Sequence, residues 1–123
     1  MKGVVITAEK AMSIQDFGEP LFKTVGEVVG GYIEHVNPVF LQDPYCMIVN
    51  EEGLLKGLPL NPIGSYLYGT HIHQQPIVGT IVIMKDGYRN GEPDIVGLED
   101  NEAERLRAAI ANLANKVFSQ GGA

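Results

Sequence analysis

Residues 77–83 constrain the fold of this chain more than any other segment. Their sequence is IVGTIVI, in which β-branched side chains occupy every position except Gly79. Branching at Cβ restricts χ1 and favours a pleated strand, and apolar residues at successive positions are typical of the middle of a sheet. Residues 77–84 are therefore predicted to form a central strand, with Gly79 marking a bulge or a close approach of another backbone.

The remaining apolar patterns predict more strands and only two substantial helices. Apolar residues recur at helical spacing after Pro20, up to a glycine pair at residues 30–31, and again after Asn101. This arrangement differs from regular βαβ winding, so we predict an α+β fold. It consists of a small antiparallel or mixed sheet with two main helices, the C-terminal helix packed on the sheet, in a single domain of residues 1–123. The other predicted strands lie near residues 2–7, 12–17, 32–37 and 45–50.

Turn signals divide the rest of the chain. Residues 50–53 read as a tight turn, after which Leu54 and Leu55 are predicted to begin a return strand. Asn61 and Pro62 suit the start of a short helix over residues 63–68. Residues 85–93 contain the turn dipeptides DG and NG, which predict a polar hairpin or loop.

The basic residues are few and scattered. The chain has a formal net charge of −6, and it lacks the basic patch of proteins that bind DNA or RNA along the phosphate backbone. Its apolar runs are too short to span a bilayer or to form a secretory leader. We therefore expect a cytoplasmic protein that binds neither bulk nucleic acid nor membranes. Cys46, the one cysteine, is expected to pack in the core.

The sequence has no local pattern of a catalytic or metal centre. His71 and His73 would lie on one face of a strand, the minimum for a two-histidine metal site, but no third ligand is near them in sequence. We interpret them as polar loop histidines. Neither Cys46 nor Ser65 lies in a turn that would expose a nucleophile. The prediction is a protein with no catalytic residue, no bound metal and no cofactor.

Residues 61–75 are dense in side chains that commonly contact ligands. They include Tyr66 and Tyr68 among Asn, Ser, Thr, His and Gln residues. Aromatic faces combined with neutral hydrogen-bonding groups suit a ligand that contains a base or a sugar. The same composition also fits a surface loop whose tyrosines pack partly into the core, and composition alone does not separate these two interpretations.

Four short motifs follow one another along the chain: GGYIE at residues 30–34, IVNEEG at 48–53, KGLPLN at 56–61 and IVGT at 77–80. With these motifs the chain resembles, over about residues 25–98, a family of small phage and mobile-element proteins catalogued as a domain of unknown function. The resemblance implies a phage or mobile-element origin and a single compact domain, and it supplies no catalytic motif. Phage proteins of this size often interfere with host defence, and one route is to sequester a nucleotide second messenger without cleaving it.

The function predicted from the sequence is non-enzymatic binding. A phage-encoded protein in the host cytoplasm would sequester a small ligand resembling a cyclic nucleotide and so counter host defence, with Lys56 and Arg89 as phosphate partners. We expect a homo-oligomer, because a domain this small seldom encloses such a ligand alone. The alternative is an acidic protein–protein inhibitor or adaptor acting on a host protein. The predicted ligand contacts are Tyr32, Lys56, Asn61, Tyr66, Tyr68, His71, His73, Gln74 and Arg89.

Overall fold

An open antiparallel sheet forms the centre of the structure, a computed structural model that describes residues 1–118. Its strands are β1 (Lys2–Ile6), β2 (Met12–Asp16), β3 (Ile33–Val36), β4 (Tyr45–Asn50), β5 (Ile81–Arg89) and β6 (Glu92–Val96). Five of them follow the order β2-β1-β5-β4-β3, and β6 pairs with the second half of β5. All pairings between these strands are antiparallel, which confirms the predicted α+β class.

Four helices accompany the sheet: α1 (Leu21–Val29), α2 (Pro62–Tyr68), α3 (Thr70–His73) and α4 (Asp100–Phe118). Helix α1 is capped at its C-terminus by Gly30, as predicted, and Gly30 has a φ of +90°. Helix α4 begins at Asp100, two residues earlier than predicted, and its first turn is capped by Glu102, whose carboxylate accepts the Glu99 N–H at 3.0 Å. Within residues 1–118, no helix combines the length and the apolarity that crossing a bilayer requires.

The sheet separates two hydrophobic cores, because alternate side chains of β1, β4 and β5 point to opposite faces. Helix α1 covers one face, and α2 and α4 cover the other, so the C-terminal helix packs on the sheet as predicted. The α1 face contains Val5, Cys46, Ile48, Val82 and Met84, and the opposite face contains Val4, Ile6, Met47, Val49, Ile81 and Ile83. Burial on both faces explains why these strands are apolar at successive positions.

The predicted central strand is present as β5, but its predicted start was wrong, and a second predicted strand is absent. The central strand begins at Ile81, because Gly79 has a φ of +76° and Val78 before it makes only an isolated bridge with Leu60. The return strand predicted from residue 54 is absent, and residues 51–57 instead form consecutive turns. By contrast, residues 85–93 form the predicted hairpin, with Asn90 and Gly91 at positive φ in its turn.

Candidate functional site

Asn61 stabilises the fold from a fully buried position at the start of α2. Its Nδ2 donates to the Ile6 carbonyl at 3.0 Å and to the Gly79 carbonyl at 2.8 Å. Its Oδ1 accepts the Gly64 N–H at 2.8 Å. Both amide hydrogens are thus used within the protein. The side chain ties β1, α2 and the chain before β5 together, and it is not presented to solvent as a ligand contact.

Tyr66 lies in an aromatic cluster with Phe40 and His71. Its ring centroid is 5.4 Å from that of Phe40 and 4.8 Å from that of His71, with interplanar angles of 25° and 11°. Phe118 forms a T-shaped pair with Tyr66, with ring centroids 6.3 Å apart and an interplanar angle of 78°. Part of each ring face in this cluster is therefore already covered by another protein ring.

His71 and His73 lie on the short helix α3 and not on a strand, so they do not have the strand geometry of a two-histidine metal site, and they are on a helix instead of in the loop that we expected. The Gln75 N–H donates to Nδ1 of His73 at 3.2 Å, which places the hydrogen of a neutral ring on Nε2. Nε2 is 2.9 Å from the Tyr68 carbonyl oxygen, so both ring nitrogens of His73 have partners. Gln74 is exposed and ends α3 at a φ of +67°.

Tyr68 stands between two neighbouring cavities of about 580 and 570 Å³, which share Val36 and Gln75 as well. The larger cavity is lined by apolar side chains and by two carboxylates, those of Glu34 and Glu51. Among the described residues lining these two cavities there is no lysine or arginine. They therefore suit a neutral or cationic molecule better than a phosphate.

Tyr32 and Lys56 are the two predicted contacts that the structure brings together in a cavity with basic residues. This cavity, of about 460 Å³, lies between α1 and the turns at residues 51–57, and we call it the α1–turn groove. Both side chains are exposed. The groove is lined by Phe22, Lys23, Gly26, Glu27, Gly30, Gly31, Tyr32, Glu52 and Lys56.

The buried side chain of Asn50 connects the two walls of the groove. Its Nδ2 donates to the Val29 carbonyl at the end of α1 at 3.1 Å, and its Oδ1 accepts the Glu52 N–H in the turn at 2.8 Å. A β-strand residue thus fixes the helix end relative to the turn. The relative position of the two walls is set by the core of the protein.

The two glycines after α1 create the space for the Lys56 ammonium. Lys56 Nζ donates to the Gly30 carbonyl at 3.2 Å. A Cβ atom at Gly31 would lie 2.7 Å from the same Nζ, closer than real Cβ contacts. The GG pair therefore serves two purposes, since Gly30 ends the helix and Gly31 leaves room for the lysine.

Phe22 and Lys23 belong to the groove but were not among the predicted contacts. Phe22 is 70% exposed and Tyr32 is 73% exposed, although both are large aromatic side chains. A signal for Phe22 was present in the sequence: Leu21 and Val25 form the stripe that faces the sheet, and Phe22 lies one position outside it. Phe22 is one of the apolar residues that recur at helical spacing after Pro20, but its exposure shows that it lies outside the face of α1 that packs on the sheet.

Arg89 lies in the β5–β6 hairpin and does not line the groove. Its guanidinium forms a salt bridge with Glu19 and lies 3.8 Å from an Asp94 carboxylate oxygen. Arg89 and Lys56 are therefore not partners in one cavity.

A cluster of His35, Cys46 and Asp86 was not predicted from the sequence. His35 Nε2 is 2.6 Å from Asp86 Oδ1, and the potential ligand atoms of all three side chains lie within 4.8 Å of one another. Cys46 is fully buried, as expected. Burial raises the pKa of its thiol to about 12, and the charge of Asp86 adds to the rise, so the thiol is protonated at neutral pH. Because this cluster depends on the pairing of three strands, its residues carry no local motif.

Comparisons with known proteins identify a family and a fold. A family model described as "Domain of unknown function (DUF3846)" matches residues 1–111. No curated protein matches the chain. The crystal structure of the small RNA methyltransferase HEN1 is similar over 86% of this chain and 16% of that chain, with a TM-score of 0.56 and 16% sequence identity. At this identity the similarity concerns the fold alone.

Proposed function

This chain belongs to the family of the domain of unknown function DUF3846, and we propose that it is a non-enzymatic binding protein that holds a small nucleotide-like ligand in the α1–turn groove. One observation carries the proposal. The groove combines two exposed aromatic rings, Phe22 and Tyr32, with two ammonium groups, Lys23 and Lys56. A nucleotide offers the matching features, a planar base and a phosphate.

The aromatic rings supply the apolar part of the site. Phe22 and Tyr32 are 70% and 73% exposed, so both aromatic side chains are accessible to a ligand. Stacking of a base on an aromatic side chain contributes about 1–3 kcal/mol and tolerates different bases. Two such rings in one groove favour a ligand with a flat aromatic face.

The charges of the groove suit a ligand that has both acceptors and donors. Lys23 and Lys56 can neutralise a phosphate locally although the whole chain is acidic. Glu27 and Glu52 line the same groove and can accept hydrogen bonds from sugar hydroxyls or an exocyclic amine. The lining residues therefore include partners for each chemical part of a nucleotide.

Binding without cleavage agrees with the groove's composition. Its described lining residues include no histidine, cysteine, serine or threonine, and its carboxylates lie at a solvent-accessible surface. Such a site has no hydroxyl or thiol nucleophile of serine, threonine or cysteine and no histidine base to activate one. A phage origin, an action against host defence by sequestering a cyclic nucleotide, and a homo-oligomer in which a second copy closes the groove are further parts of this proposal, and they rest on the sequence arguments.

A second candidate function is the acidic protein–protein adaptor. It is favoured by Leu54 and Leu55 in the turns beside the groove, which are 67% and 87% exposed. Exposed apolar side chains of this size are typical of surfaces that contact other proteins. For an adaptor, Leu54→Ser with Leu55→Ser should abolish capture of a host protein and leave nucleotide binding unchanged.

Calorimetric titration with cyclic mononucleotides, cyclic dinucleotides and nucleosides tests the leading proposal. Tyr32→Ala should weaken binding by about ten- to a hundredfold, because a stacking contact is lost. Lys56→Ala should weaken binding of the phosphate-containing ligands and reduce its salt dependence. The matched controls are Tyr88→Ala, at a ring that is 74% exposed on the β5–β6 hairpin, and Lys116→Ala near the end of α4.

The controls define the outcome that contradicts the proposal. If Tyr32→Ala and Lys56→Ala bind as tightly as Tyr88→Ala and Lys116→Ala, the ligand site is not the α1–turn groove. If no member of the nucleotide and nucleoside panel binds the unsubstituted protein, the proposed ligand class is wrong.

A further inference from the structure

The structure contains a second candidate site, whose residues differ from those of the α1–turn groove. We propose that His35, Cys46 and Asp86 bind one divalent zinc ion. This inference does not depend on the proposed function, because none of the three residues lines the groove. It rests on the register of the sheet, on the chemistry of the three side chains and on the cavity beside them.

The register of three adjacent strands brings the side chains together. His35 on β3 pairs with Ile48, which is two residues from Cys46 on β4. Cys46 in turn pairs with Met84, which is two residues from Asp86 on β5. Steps of two residues keep a side chain on the same face of a sheet. The three residues therefore form a diagonal across the α1 face, with Cys46 in the middle strand.

The donor atoms match zinc chemistry and are close to a coordinating arrangement. Their mutual distances are within 4.8 Å, and His35 Nε2 lies 2.6 Å from Asp86 Oδ1. Bonds of about 2.0–2.3 Å to zinc allow two ligand atoms to be separated by at most about 4.6 Å. Small side-chain shifts thus suffice to bring all three atoms onto one ion. A set of one sulfur, one nitrogen and one oxygen favours zinc over magnesium or calcium, which prefer oxygen ligands alone.

The surroundings leave a fourth coordination position accessible. His35 and Asp86 line a cavity of about 520 Å³ together with Tyr88 and Asp94, whereas Cys46 is fully buried in the sheet. Three protein ligands with an open position are the arrangement of zinc sites that exchange a water for another ligand. Binding of the ion to sulfur replaces the thiol hydrogen, which leaves as a proton to solvent.

Asp94 provides a matched control for Asp86. Both carboxylates line the same cavity, and both side chains are 47% exposed. Asp94 is not a member of the three-residue cluster and lies 3.8 Å from Arg89. Substitution of either aspartate changes the charge of the cavity equally, but only Asp86→Asn removes a proposed ligand.

The experiment is metal titration of the full chain after treatment with a chelator, followed by competition with a zinc indicator dye. We expect one zinc ion per chain, no binding of Mg²⁺, and at least a tenfold loss of zinc affinity in Asp86→Asn and His35→Gln, with Asp94→Asn close to the unsubstituted protein. Replacement of zinc by Co²⁺ should produce the charge-transfer absorption of a cobalt–thiolate bond. Circular dichroism before titration verifies that each variant is folded.

Three results would overturn the inference. The first is the absence of stoichiometric zinc binding by the unsubstituted chain. The second is equal zinc affinity in Asp86→Asn and Asp94→Asn. The third is Co²⁺ binding without the cobalt–thiolate absorption band, which would show that Cys46 is not a ligand. This measurement tests Cys46 without a substitution in the core. If no zinc binds, His35 and Asp86 form a hydrogen-bonded pair at the surface above a core cysteine.

Discussion

Replacing Asn61 with alanine should destabilise the protein strongly while changing nothing that a ligand touches. The substitution removes the N-cap of α2, which contributes about 1 kcal/mol. It also removes two buried hydrogen bonds, to the carbonyls of Ile6 and Gly79, each worth about 1 kcal/mol with a further cost for acceptors left unpaired. The free energy of unfolding should therefore fall by about 3–4 kcal/mol, a large part of the 5–15 kcal/mol typical of a domain.

Urea unfolding followed by circular dichroism measures this loss. With an m-value of about 2 kcal/mol/M, the midpoint should fall by about 1.5–2 M at unchanged slope. The control is Asn37→Ala, since Asn37 is an exposed amide and its loss should change stability by less than about 0.5 kcal/mol. A loss below about 1 kcal/mol in Asn61→Ala would refute the structural role. If that small loss were accompanied by weaker ligand binding, the original prediction of Asn61 as a contact would be restored.

Three further substitutions test the packing and the charges around the sheet. Ser65→Ala should cost about 1–3 kcal/mol in urea unfolding, because the buried hydroxyl both donates to and accepts from the backbone of Ile77; a neutral effect contradicts this role. Gly64→Ala should also destabilise by at least about 1 kcal/mol, because its Cβ would lie 2.8 Å from the nearest core side-chain atom, and an unchanged midpoint contradicts that contact. Burial acts to raise the pKa of Glu102, but hydrogen bonds, chiefly from Lys85, outweigh it and hold the pKa below 4.5. The resulting stability is present above pH 4.5 and is lost in acid, so Glu102→Gln should be costly near neutral pH and nearly neutral at low pH, and a pH-independent difference contradicts the ion pair.

The sheet was largely predictable because the buried strands have apolar residues at successive positions of the sequence. Residues 45–50 were predicted as a strand with the same bounds as β4, because successive apolar residues are typical of a strand that is buried on both faces. The beginning of β5 was not predictable from the same pattern. The residues before Ile81 are equally β-branched, but Gly79 adopts a left-handed φ that only the tertiary contacts of the loop require.

The candidate site was less predictable, because it depends on which distant residues meet. Tyr32 and Lys56 were both proposed as contacts, but their shared groove exists because Asn50 joins the end of α1 to the turn. The sequence around Asn61 fits both a helix cap and a ligand contact. Only the burial of its side chain in the structure distinguishes these two roles. The His35–Asp86 contact required the register of three strands, which no local pattern specifies.

Mass spectrometry of the ligand released from the protein tests the central claim most directly. The unsubstituted chain and the Tyr32→Ala variant are purified from a host that makes cyclic nucleotides, and each is heat-denatured to release any bound small molecule. We expect an intact nucleotide-like molecule from the unsubstituted chain and a strongly reduced amount from Tyr32→Ala; added back at 100 times its dissociation constant, it should stabilise the fold by about 2.7 kcal/mol. Release of no nucleotide from the unsubstituted chain, together with no stabilisation by any member of a nucleotide panel, would contradict the account.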